Sequence, residues 1–161
     1  MLYHAFPRGM RDLTAELYLA TLGDYQRAFV AHLRRAGDAR DGVRRAVDFH
    51  VRWHATEPQA ARFLHAAREP ELRDDIAAPL RERNAEFFGA IRSWMAPHVK
   101  AGTLRELPVP TLHALWLGPA QELCRHWLAG SAPRPDRATR TLLADAAWRA
   151  LTPLPLDTGD A

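Results

Sequence analysis

Residues 10–38, MRDLTAELYLATLGDYQRAFVAHLRRAGD, decide the fold class. Leu13, Leu17, Ala20, Tyr25, Phe29 and Leu33 recur at three- and four-residue intervals, the spacing that lines one side of an α-helix. Gly37-Asp38 ends the run. Alternating β-branched stretches are absent, so nothing reads as a strand. The chain is expected to be all-α, a bundle of about six helices.

The same periodicity carries outward from this first helix, over about Met10 to Ala36. A second helix is predicted from about Ala39 to Thr56. Val43, Val47, His50 and His54 form one stripe of it, with Ala46, Phe49 and Trp53 on the flank. A short third covers Pro58 to Ala67, where proline suits a first turn because its missing N–H would be unbonded there anyway. A fourth, about Glu71 to Ala101, carries Leu72, Ile76, Leu80, Phe87, Ile91, Trp94 and Val99. Pro79 and Pro97 lie inside it, and a kink or break is expected at one or both. A fifth spans about Pro110 to Ala129 and a sixth about Asp136 to Leu151. The last residues, 154–161, are rich in Pro, Asp and small side chains and read as a loose tail.

At 161 residues the chain suits one domain with a real core, and 47% hydrophobic and 25% charged residues are ordinary globular usage. A net charge of +3, from 22 basic and 19 acidic side chains, is too small to argue for nucleic acid by itself. Lys100 is the single lysine, so phosphate contacts would fall to arginine, polar side chains or backbone N–H groups. Cys124 is the single cysteine, which reads as excluding both an intrachain disulfide and a cysteine-based zinc site. It reads as an inert packed thiol. No apolar run approaches the roughly 20 residues of a membrane span, and the N-terminus lacks a signal-peptide layout. The expectation is a soluble cytoplasmic protein.

Tyr3-His4-Ala5-Phe6-Pro7, running straight into the first long helix, resembles the end of the helix-turn-helix in the TetR family of bacterial transcriptional regulators. Leu115-Trp116-Leu117-Gly118-Pro119 with Glu122 to Gly130 resembles that family's penultimate helix. Pro135-Asp136, Thr141-Leu142-Leu143 and Ala146 to Leu151 resemble its last. The resemblance implies residues 1–8 as the remnant of a DNA-reading head, 9–153 as an effector-binding and dimerisation domain, and 154–161 as a flexible tail. It places Tyr3 and His4 near the DNA backbone. It also implies a homodimer through a four-helix bundle, with Leu115, Pro119, Leu123, Leu143 and Ala147 at the interface. Two departures stand out. Gly9 occupies the position where the family has a phosphate-contacting lysine, and Met1 falls within the recognition helix, so the preceding helices have no counterpart. This chain is therefore expected to bind DNA weakly or not at all, with DNA a partner of a full-length form.

In that family a small-molecule pocket lies among the central helices. Here the aromatics concentrate in the second to fifth helices, which gives Phe49, Trp53, Phe87, Ile91 and Trp116 as lining candidates. The resemblance implies that an apolar or aromatic effector shifts the first helix and changes the spacing of two DNA-reading heads, most simply as a repressor.

His50 and His54 stand at i and i+4, a geometry able to hold a metal ion. The Glu of a zinc-protease motif is missing and no third ligand lies nearby in sequence, so they read as core or pocket histidines. No metal and no cofactor are expected. The charged run from Arg73 to Glu86 reads as a solvated face, and Arg34-Arg35, Arg40 and Arg44-Arg45 as surface charge. No nucleophile elbow or phosphate loop is present, so nothing supports an enzyme. A stand-alone small-molecule-binding protein, able to poison full-length relatives by heterodimerising, is the alternative. A helical metalloenzyme using His50 and His54 is the third reading.

Overall fold

A computed structural model describes residues 9–66 and 70–153 of the chain. Tyr3, His4 and the segments 1–8 and 154–161 lie outside the described residues. Within them are seven helices and no strand: α1 Met10–Arg34, α2 Ala39–Thr56, α3 Pro58–Ala66, α4 Pro70–Lys100, α5 Val109–Trp116, α6 Gly118–Leu128 and α7 Arg137–Leu151. None of them is long and apolar enough to cross a membrane.

Local chemistry sets the helix ends. The Asp38 carboxylate accepts from the Asp41 N–H at 2.7 Å and opens α2. Asp136 does the same for α7 by accepting from the Thr139 N–H at 2.8 Å. Gly102 and Gly130, at φ 72° and 77°, reverse the chain after α4 and α6 in the left-handed conformation that glycine adopts without strain.

The expected fifth helix is two. The Leu117 N–H still bonds to the His113 carbonyl at 3.0 Å, but Leu117 then caps α6, whose first turn contains Pro119. Proline has no N–H to continue a helix and crowds the carbonyl four residues back, so the break falls here. Pro79 and Pro97 produce no break: α4 runs through both from Pro70 to Lys100.

The buried stripe of α1 also differs from the expected one. Leu19, Gly23, Gln26, Phe29 and Leu33 face inward, while Leu13, Leu17 and Ala20 are exposed, Leu17 by 54%. The first turns of α1 are apolar on both sides, and periodicity alone cannot choose between the two faces.

Helix α2 is the axis of the molecule, packed by α1, α3, α6 and α7. Its Val43, Ala46, Val47 and Val51 are essentially solvent-free. Trp116 ties α5 to it by donating its indole N–H to the Val43 carbonyl at 3.0 Å. Arg140 on α7 pairs with Asp48 on α2 at 2.9 Å, and Arg44 pairs with Asp145, so the polar edge of the α2–α7 contact is cross-linked by charge. Arg45 is likewise paired, to Asp41 at 2.6 Å. The loop after α4 is held to the end of α7 by the Arg105 N–H bonding to the Leu151 carbonyl at 2.9 Å. Helices α1 and α4 lie against one another, and a small second cluster of Leu19 and Ile76 forms with Tyr18 and Leu80 beside it.

Candidate functional site: a histidine-walled cavity

A cavity of about 850 Å³, partly open to solvent, lies between α1, α2, α3 and α4 and is floored by the α5–α6 junction. That volume is of the size that takes a small organic ligand. Its apolar wall is Trp53 from α2 with Ile76, Leu80, Phe87 and Phe88 from α4. Its polar wall is Tyr25 from α1, His50 and His54 from α2, His65 from α3, and His113 and Gln121 from the floor.

The helical spacing of α2 explains half of that polar wall. Residues 50 and 54 are one turn apart, and their rings sit 4.4 Å centroid to centroid. The His54 Nδ1–H donates to the His50 carbonyl at 2.7 Å, which leaves a lone pair on its Nε2. That Nε2 faces the Nε2 of His65 at 3.2 Å, so His65 is the donor of the pair. The His50 Nδ1 is 2.6 Å from the Tyr25 hydroxyl. The His50 Nε2 is buried and has no hydrogen-bond partner.

Burial keeps His50, His54 and Tyr25 in this wall neutral. Desolvation holds His50 well below the usual imidazole range, with neighbouring His54, His113 and His65 adding in the same direction. Desolvation also lowers His54, to about 4, against the opposing effect of its bond to the His50 carbonyl. The Tyr25 hydroxyl is pushed upward, again chiefly by burial. Behind the wall, Cys124 on α6 is fully buried and its thiol is raised to about 12 by desolvation. Neutral imidazoles, a phenol and a thiol beside aromatic faces suit an apolar or aromatic molecule carrying a polar group.

Of the five lining candidates from sequence, Trp53 and Phe87 face this cavity. Ile91 and Trp116 are taken up by the core, Trp116 stacked on Trp94 and edge-on to Phe29. Phe49 stacks on His32 at 4.5 Å and borders a separate cleft between α2 and α7, lined by Arg44, Arg45, Asp48, Arg52 and Arg140. Sequence reasoning missed Tyr25, His65, His113 and Gln121 as cavity residues. Tyr25 had a signal, a polar-tipped aromatic on the expected apolar side of α1; the others had none.

The residues expected at a dimer interface divide similarly. Leu115 and Pro119 are exposed, and Leu123 and Leu143 half-buried. Ala147 is 3% exposed and packs within the chain. Leu142, next to Leu143, is 66% exposed instead.

No family model matches the chain, and no curated protein sequence does. Among solved structures, a TetR family transcription regulator from Marinobacter aquaeolei VT8 superposes with a TM-score of 0.69 at 21% sequence identity, covering 93% of this chain and 76% of that one. The chain therefore has the fold of that regulator.

Proposed function

Starting from that shared fold, we propose that this chain is the effector-binding and dimerisation part of a TetR-type transcription regulator. It senses a small, largely apolar or aromatic molecule and acts as a cytoplasmic homodimer, most simply as a repressor. One observation carries the reading: the cavity is walled on one side by α1, the helix that leads back toward residues 1–8, through Tyr18, Leu22, Tyr25 and Gln26. A ligand wedged against Trp53 and Phe87 would press on α1 and shift the balance between two positions of that helix. Tyr3 and His4 remain the candidates for DNA-backbone contact, in a form that carries the rest of the reading head. No catalytic role is assigned.

The test is a thermal-shift screen of small aromatic and aliphatic compounds bearing one hydroxyl, amide or carboxyl group. A compound present at a hundred times its Kd stabilises the folded chain by about 2.7 kcal/mol. Phe87→Ala should weaken every hit, while Thr141→Ala, an exposed residue of the other cleft, should leave affinity unchanged. Hits that respond to Thr141→Ala but not to Phe87→Ala would place the sensing site elsewhere. The gene's native product should bind its own upstream DNA in a gel-shift assay, and release or binding on adding a hit fixes the sign of regulation. Failure of that product to bind DNA would favour the stand-alone binding protein.

A further inference from the structure

We propose that His50, His54 and Cys124 form a binding site for one divalent transition-metal ion of the zinc class, set between α2 and α6 behind the cavity's polar wall. One ligand atom from each of the three residues lies within 4.8 Å of the other two, and all three side chains are buried. In sequence the histidines lacked a third ligand. The fold brings one to them from α6, because the break at Leu117 starts a new helix that turns Cys124 inward.

Three features separate this cluster from a chance meeting of polar side chains. First, each histidine has its Nδ1 occupied by an orienting partner. His50 meets the Tyr25 hydroxyl at 2.6 Å and His54 meets a backbone carbonyl at 2.7 Å. Metal-binding histidines are held in this way, one ring nitrogen fixed by a phenol, carboxylate or carbonyl and the other left for the ion. Second, the nitrogen left over on His50 is an orphan: its Nε2 is buried, and the side chain is only 4% exposed. Buried polar atoms are almost always partnered, and an ion at this point would supply the missing partner. Third, a further imidazole stands beside the group: the Nε2 of His65 lies 3.2 Å from the Nε2 of His54, which makes His65 a candidate fourth ligand once it gives up that hydrogen bond.

The donor set chooses the metal. Imidazole nitrogen with thiolate sulfur selects zinc, cobalt or copper over magnesium and calcium, which require oxygen ligands. Binding forms a sulfur–metal bond at Cys124 as the thiol proton passes to the buffer, so each ion taken up releases one proton. No change of oxidation state is involved. Ligand atoms up to 4.8 Å apart stand wider than a tetrahedral edge, so side-chain rotation would have to draw them in as the ion binds. The site is independent of the regulator reading, since its ligands all belong to this chain and DNA plays no part in it.

Metal titration of the purified, reduced, chelator-stripped chain tests the proposal. Zn²⁺ followed by calorimetry should bind with one ion per chain. Co²⁺ should produce tetrahedral visible bands together with a thiolate-to-cobalt charge-transfer band. Cys124→Ser should abolish the charge-transfer band and weaken Zn²⁺ by more than about 100-fold, since loss of an orienting partner alone costs 10–100-fold. Tyr25→Phe, which removes only such a partner, should cost about 10-fold. His126→Ala, at an exposed histidine, should change nothing and controls for adventitious surface binding. The wild-type titration stands even if a variant fails to fold. Absence of stoichiometric Zn²⁺ binding by the wild type overturns the proposal. So does a cobalt complex without a thiolate band, or undiminished binding by a folded Cys124→Ser chain.

Discussion

The same substitution, glycine to alanine, should have opposite effects at two helical positions of this protein. Gly42 lies in α2, and a Cβ there would sit 2.1 Å from Cζ2 and 2.6 Å from Cη2 of Trp94. Ordinary contact begins near 3.4 Å, so the indole would have to retreat by more than an ångström. It has little freedom to do so, being packed on Trp116 at 6.2 Å and on His98 at 4.8 Å between ring centroids. Overpacking of this kind costs about 1–3 kcal/mol, and the size of the overlap with a rigid ring argues for the upper end. Alanine recovers about 1 kcal/mol of helix propensity. Gly42→Ala should therefore destabilise by about 2 kcal/mol, a fall in Tm of about 4–8 °C for a chain of this size. Gly89 lies inside α4 with nothing within 4 Å of its would-be Cβ, so Gly89→Ala should stabilise by about 0.5–1 kcal/mol. Urea unfolding followed by circular dichroism measures both. A stabilising Gly42→Ala would refute the close approach of Trp94 to α2, and a destabilising Gly89→Ala would refute the open space at Gly89.

Three further outcomes are expected. Tyr25→Phe removes the 2.6 Å bond to His50 and leaves both nitrogens of a buried imidazole unpartnered, so the metal-free chain should lose about 1–3 kcal/mol; an unchanged urea midpoint would deny that bond. Light scattering at micromolar concentration should give a dimer mass, and Leu115→Glu with Leu142→Glu should reduce it to the monomer; a wild-type monomer removes α5–α7 as an interface. The Glu122 carboxyl, bonded by Arg125, should titrate near 2, and Arg125→Ala should return it toward the ordinary carboxylate range. Because that pKa is lowered by folding, its contribution is present above the ordinary range and fades as pH falls toward 2; carbon-detected NMR reads it directly.

Helix class and most helix ends were legible because punctuation is local. Gly37-Asp38, Pro58, Gly102 and Gly130 each act on their own backbone, and the helices stop where they stand. The split at Leu117 is legible in principle, since Pro119 has no N–H to continue a helix. The cavity was legible only in part. Helix α2 is covered on several sides, so pattern could not say that Trp53 borders both the cavity and the α2–α7 cleft while Phe49 borders the cleft alone. The pairing of His50 with His54 follows from spacing within one helix. Cys124 reaches them only through the packing of α6 on α2, a long-range fact that no window of sequence contains. The burial of Ala147 within the chain was hidden for the same reason, since so small a side chain suits a helix contact within the chain or between chains alike.

Helix α1 has a mechanical property that follows from its length and its composition. It runs from Met10 to Arg34 without a proline, in contrast to α4 with two. Tyr25 touches the cavity, and Met10 lies 15 residues away, about 22 Å at the rise of an α-helix. Such a rod is a lever whose fulcrum is the cavity wall: a tilt of about 5° at Tyr25 carries the tip at Met10 through about 2 Å. Between the two, Leu19 and its neighbours pack the shaft against α4. A small tilt at the histidine wall would thereby be magnified at Met10, with a gain set by the number of residues in one uninterrupted helix.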